Sequence, residues 1–168
     1  MACAPTPVAF NPMSRAVPRR RKVPKVPIGW REWVAFPEVG VDAIKAKIDT
    51  GARTSALHAH RLRVSSDEST ARFEIHPVQR KKTPAIPVEL PVADFRTIRS
   101  SNGQQQRRPV VLLSVEAGAE RWEIEVTLTA RDAMGFRLLL GRSAVAGRFL
   151  VDPARSYLLG RPEAYSGM

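Results

Sequence analysis

The chain has 168 residues, 43% hydrophobic and 26% charged, with 27 Lys and Arg against 16 Asp and Glu for a formal charge of +11. That balance is the composition of one folded domain with or without a tail, and it excludes wholesale disorder. One cysteine, Cys3, excludes an internal disulfide framework and a cysteine-built zinc cluster, and no apolar run reaches the ~20 residues of a membrane span.

Residues 1–26 hold Arg15, Arg19, Arg20, Arg21, Lys22 and Lys25 and no acid, among scattered prolines and without hydrophobic periodicity. They read as a disordered, basic, Pro-rich arm. Such an arm can attract phosphate or carboxylate groups, so nucleic-acid contact is conceivable, but no aromatic residue interleaves the basic run to stack on bases. The start of the chain also lacks the continuous apolar segment of a secretory signal, which makes a cytoplasmic location the expectation.

From residue 27 to 162 the pattern is that of short strands, and residues 163–168 read as a tail. Ile44, Ala46 and Ile48 alternate with Lys45 and Lys47, the period of two of a strand with one buried face. Phe73 and Ile75 alternate with Arg72 and Glu74 in the same way. Prolines at 77, 84, 87 and 91 make Pro77 to Pro91 a poor central strand and predict a surface excursion. Asn102-Gly103 supplies the positive φ angles of a tight hairpin. Val110 to Leu113 is a continuous apolar run, as in a strand buried on both faces. Ala117-Gly118 separates it from a strand in which Trp122, Ile124, Val126 and Leu128 alternate with polar residues, predicting a second hairpin. Leu138 to Leu140 is an apolar strand ending at Gly141, and Arg142 to Ala146 is the one good helix candidate, stopped by Gly147. The sum is an all-β domain, a barrel or sandwich of short strands with one short helix near the C-terminus.

The stretch that carries chemistry is Lys47-Ile48-Asp49-Thr50-Gly51-Ala52-Arg53-Thr54-Ser55. A strand runs directly into Asp49, so the sheet behind it holds the carboxyl group rigidly. Thr50 offers a hydroxyl to lock the loop, and Gly51 permits a sharp turn and close approach of another chain. Taken by itself, an aspartate before glycine is equally a turn cap.

Asp49-Thr50-Gly51-Ala52, together with Leu139-Leu140-Gly141-Arg142, resembles the retropepsin-like aspartic proteases: the active-site triplet with its small fourth residue, and the hydrophobic segment that packs behind it. More specifically, the chain resembles the bacterial family labelled "ATP-dependent zinc protease". The matching stretches are Gly29-Trp30-Arg31-Glu32, Ala46 through Ala59, Arg99-Ser100-Ser101-Asn102-Gly103, and Leu138 through Pro153.

The resemblance implies a closed barrel and a peptidase in which Asp49, Thr50 and Gly51 form the catalytic triplet. It implies no cofactor. The chemistry needs two carboxyl groups sharing a proton, and the chain holds one triplet, so a homodimer with Asp49 at its axis is expected. A flap hairpin, Ile98 to Pro109 with Ser101, Asn102 and Gly103 at its tip, would cover the substrate, with Ala52 lining the site. Retropepsins commonly place an acid where Arg53 stands, paired with the arginine at position 142. Here Arg142 must find another partner or face solvent, and Arg53 and Arg142 together would favour acidic peptides or a C-terminal carboxylate. Members of the resembled family are associated with RimK-type glutamate ligases, which fits such substrates.

Two alternatives stand beside the peptidase: a non-catalytic scaffold that binds peptides or a ribosomal partner, and the zinc-dependent hydrolase of the family label. No G-x-x-x-x-G-K-[ST] phosphate cradle and no H-E-x-x-H zinc motif occur. The histidines are His58, His60 and His76. His58 and His60 could share a strand face with His76 or an acid as third ligand, but hydrogen-bonded or solvent-facing histidines are the simpler expectation, and no metal site is assigned.

Overall fold

The computed structural model describes residues 24–99, 103–130 and 135–161. The expected arm up to residue 23, the tail 163–168, and the hairpin-tip residues Ser101 and Asn102 lie outside the described residues. Among the described residues, no helix is long and apolar enough to cross a membrane.

Among the described residues, twelve strands and one short α-helix follow one another: β1 (Val26–Gly29), β2 (Arg31–Phe36), β3 (Val41–Asp49), β4 (Ser55–His58), β5 (His60–Val64), β6 (Thr70–Ile75), β7 (Ile86–Pro91), β8 (Asp94–Arg99), β9 (Gln105–Ala117), β10 (Glu120–Thr129), β11 (Leu138–Gly141), α1 (Arg142–Val145) and β12 (Phe149–Asp152). The expected all-β fold is the one observed. The principal sheet has seven strands in the order β10-β4-β11-β3-β2-β9-β8, and β9 also pairs with β10, so the order returns on itself. The return is thin between β2 and β9, where the register consists of Ala35 opposite Glu116. The strands are therefore joined at that seam by a single register pair rather than a full ladder.

Alternation explains the core. On β10 Trp122, Ile124, Val126 and Leu128 are buried while Glu123 and Glu125 face out. On β3 Ile44, Ala46 and Ile48 point inward and Lys47 outward. Together with Val111, Leu113, Val115, Leu138 and Leu140 they form one continuous cluster. Each of the valine, leucine and isoleucine side chains among them contributes roughly 1.5–3 kcal/mol through its removal from water.

Two expectations change. Val110 to Leu113 is buried on both faces only at its start: Val110 and Val111 are fully buried, but Leu112, on the same face as Val110, is 43% exposed. The run belongs to a 13-residue strand that is buried on both faces from Arg108 to Val111 and alternates from Leu112 onward, and continuity of apolar letters hid that change. The Pro77 to Pro91 stretch is not wholly an excursion either, since β7 pairs antiparallel with β6 in a separate three-stranded sheet, β5-β6-β7. Its prolines are tolerated because β7 is an edge strand, with a side that owes no ladder hydrogen bonds. The hairpin expected at residues 117–118 is present, with Ala117 opposite Glu120, and β8 pairs antiparallel with β9, Arg99 opposite Gln105, to either side of the expected turn at Asn102-Gly103, whose Asn102 lies outside the described residues.

Candidate active site

The order β4-β11-β3 determines the geometry of the motif. β3 ends at Asp49 and β4 begins at Ser55, but β11 lies between them and pairs with both. The loop joining β3 to β4 must therefore arch over the end of β11, across about two strand spacings of ~4.8 Å each. Gly141 is opposite Asp49 in the parallel β11–β3 register and sits beneath that arch. A Cβ on Gly141 would fall 2.6 Å from the Thr54 carbonyl carbon and 2.8 Å from the Arg53 oxygen, so only glycine admits the crossing.

The arch is fastened from below. The amide of Arg142 donates to the Ala52 carbonyl at 2.9 Å and that of Ser143 to Arg53 at 3.0 Å. The Ser143 hydroxyl donates to the same Arg53 oxygen at 2.8 Å. The opening N–H groups of α1, which lack partners within their own turn, are thus satisfied by loop carbonyls. The Gly141 amide donates to Ser55 Oγ, and Thr127 Oγ1 donates to the Ser55 carbonyl.

Asp49 is half-buried at the strand end, with Thr50, Gly51 and Arg53 exposed and Ala52 half-buried beside it. Its Oδ1 accepts the amides of Gly51 at 3.0 Å and Ala52 at 3.1 Å. These bonds fix the carboxyl plane against the loop, and among the described residues Asp49's hydrogen bonds fall on Oδ1. Arg142 finds its partner in the backbone: Nη1 donates to the carbonyls of Thr50 and Gly51, both at 2.8 Å. It thereby spans the tip of the arch and does the bracing that an acid–arginine pair would do. Arg53 points outward from the same loop. Asp49, Thr50, Gly51, Ala52, Arg53 and Arg142 are thus gathered in one place.

The residue at the far end of the arch is held by a side chain that no sequence pattern singles out. Arg96, on β8, donates from Nη1 to Thr54 Oγ1 at 3.2 Å and pairs through Nη2 with Glu125 on β10 at 2.8 Å. β8 and β9 form the hairpin expected to be the flap, and Gly103 takes a φ of +81° near its tip. Nothing in a lone arginine within a strand marks it. Ser55 and Ser143 were legible only as members of the motif and the helix.

The three histidines do converge. His58 Nε2 lies 2.8 Å from His60 Nε2, the His60 and His76 rings stack at 3.9 Å, and His76 Nε2 is 3.2 Å from Glu74. The donor set does not fit zinc. The His60 Nε2 that meets His58 also lies 2.9 Å from the Arg137 guanidinium, whose fixed positive charge opposes a cation there. Among the described residues, no group of three or more His, Cys, Asp or Glu side chains is arranged to hold a metal ion.

Known proteins give the site its context. The family described as RimB-like, retropepsin-like aspartic endopeptidase RimB, matches residues 27–162. A Shewanella pealeana protein named "Probable alpha-L-glutamate ligase" is 47% identical over 135 residues, 79% of this chain but 30% of that protein. A protein of the same name from Parasynechococcus marenigrum is 45% identical over 139 residues, 81% of this chain and 30% of its own length. The chain therefore spans about 30% of the curated relatives it matches. The crystal structure of a Legionella pneumophila protein of unknown function aligns with a TM-score of 0.66 and 28% identity, covering 80% of this chain and 98% of that one. A triplet at the end of β3, arched over the glycine of β11, in a barrel matched along nearly its whole length, places the chain in the RimB-like family of retropepsin-like proteins.

Proposed function

We propose that the chain is an aspartic peptidase that works as a two-fold symmetric homodimer, with Asp49 from each copy at the axis, and that its substrates are acidic peptide tails. The observation that carries the reading is the Asp49 carboxyl group. The loop amides and the Arg142 brace hold it in one orientation at an accessible strand end. A carboxyl group tied at one oxygen and presented at a strand end suits a dyad. Two of them brought close cannot both ionise cheaply, so the pair retains one proton.

In that dyad the ionised partner takes a proton from water as its oxygen attacks the scissile carbonyl carbon. The protonated partner gives its proton to the carbonyl oxygen. Collapse of the tetrahedral species breaks the C–N bond as a proton passes to the leaving nitrogen. The β8–β9 hairpin, with Ser101, Asn102 and Gly103 at its tip, would close over the peptide and exclude water.

The acidic preference rests on exposed Arg53 beside Asp49 and exposed Arg99 at the hairpin end. Relatives named as glutamate ligases support it, since a domain like this one forms part of proteins whose names describe glutamate addition. A RimK-type ligase system is the partner this reading implies. Arg142, committed to the arch, acts there as a brace more than as a substrate contact.

The test uses mixed subunits. Asp49→Asn should abolish cleavage of glutamate-rich peptides. Mixing equal amounts of wild-type and Asp49→Asn chains, with exchange, should leave about a quarter of the activity, because only wild-type pairs have two acids. Half the activity would mean that each chain works alone and would overturn the shared dyad. Loss of activity on adding a chelator would favour the zinc reading.

A further inference from the structure

We propose that Arg96 is a positioning residue that couples the β8–β9 hairpin to the catalytic arch; the assignment of a catalytic consequence rests on the peptidase reading above. Arg96 is 29% exposed by its side chain and reaches three segments at once. On its own strand it meets Asp94 at 3.4 Å, on β10 it meets Glu125 at 2.8 Å, and at the exit of the arch it donates to Thr54 Oγ1 at 3.2 Å.

Thr54 is the sensitive point of the arch. Its backbone lies against Gly141 with no room to spare, so a shift of Thr54 is transmitted to the strand end under Asp49 and to the amides of α1. A hairpin pinned to Thr54 cannot move at its root without moving the loop that carries the acid. The planar guanidinium suits this, since it donates along three directions at fixed angles, whereas a lysine ammonium gathers its donors at one point on a flexible stem. The two acids face one arginine, which keeps the guanidinium in place when any one contact loosens. Displacement of β8 and the placement of Asp49 thereby become linked.

Hydrogen exchange and kinetics on the 168-residue chain test this together. Arg96→Met should raise amide exchange about tenfold in both residues 94–99 and residues 49–57. Thr54→Val, which removes the hydroxyl and keeps the shape, should raise exchange in residues 94–99, a strand it does not belong to. On a glutamate-rich peptide, Arg96→Met should lower kcat about tenfold with KM within about twofold, because misplacement of the acid affects the bound state. Arg96→Lys should restore part of the rate. A Thr54→Val protein whose exchange changes only around residue 54 would overturn the coupling, as would an Arg96→Met enzyme with wild-type kcat. If the wild-type protein cleaves nothing, the peptidase reading fails, and the exchange arm alone still decides whether hairpin and arch are linked.

Discussion

Replacing Gly141 by alanine asks whether the arch over β11 is as tight as its geometry implies. Gly141 has φ −75° and ψ 171°, an ordinary extended conformation that alanine adopts freely, so no backbone strain is introduced. The new methyl group would meet the Thr54 carbonyl carbon at 2.6 Å, its oxygen at 2.7 Å and the Arg53 oxygen at 2.8 Å. Ordinary carbon contacts begin near 3.5 Å, so the arch must rise by about 0.8 Å. All three atoms are backbone, and the arch is anchored at Ala52 and Arg53 by α1, so no side chain can swing aside to absorb the displacement. Overpacking of this kind costs about 1–3 kcal/mol. At this size that is a fall in Tm of about 3–10 °C. A displacement near 1 Å of a catalytic group lowers turnover by about a hundredfold. Differential scanning calorimetry and peptide cleavage measure the two effects, and the rate should suffer far more than the stability. An alanine variant with wild-type Tm and wild-type kcat would refute the steric argument.

Two further outcomes follow from groups outside the arch. Glu32 is 1% exposed and accepts the amides of Gly29 at 2.6 Å, Leu158 at 2.9 Å and Leu159 at 3.3 Å, tying the C-terminal segment to β2. Glu32→Ala should cost about 3–5 kcal/mol by stranding buried N–H groups, and Glu32→Gln should cost less because one acceptor oxygen survives; an alanine variant melting within about 2 °C of wild type would contradict this. Asp67 sits in the β5–β6 turn with its pKa lowered from 3.8 to about 2, first by the Ser65 hydroxyl, then by the Ser69 hydroxyl and amide. Because the folded value is the lower one, the turn's contribution is intact above pH 3.8 and is lost as pH falls toward 2. Carboxyl NMR titration should show Asp67 still ionised at pH 3, and Ser65→Ala should move its midpoint upward.

What the sequence made legible was whatever depends on neighbours along the chain. Alternation on β3 and β10 is a local property, as are the hairpin at Ala117-Gly118 and the short helix after Gly141. The triplet was legible because its chemistry and its place at a strand end are contiguous. What escaped were relations between distant segments. That Leu112 faces out follows from the inner face of β9, which the run of four apolar letters does not reveal. That β7 is a strand follows from β6 offering an edge. The partner of Arg142 turned out to be carbonyl groups, which carry no letter in a sequence, and Arg96 is one arginine among many until β8 is laid beside Thr54.

The same distinction explains how the arch tolerates Arg53 where an acid is usual. An acid at that position would steady Arg142 through its side chain. Here the guanidinium turns to the Thr50 and Gly51 carbonyls, which are present whatever residue stands at 53. The brace is thereby independent of the side chain at 53, and that side chain is released to face solvent beside Asp49 as a positive charge. Arg53→Asp should consequently leave Tm within about 2 °C of wild type, since only an exposed charge is exchanged. It should lower kcat/KM for glutamate-rich peptides about tenfold or more while sparing neutral ones, the loss of one charge-assisted contact and the gain of a repulsion. A variant that unfolds would mean that Arg53 supports the arch after all, and one that cleaves acidic and neutral peptides in the wild-type ratio would remove this residue from substrate selection.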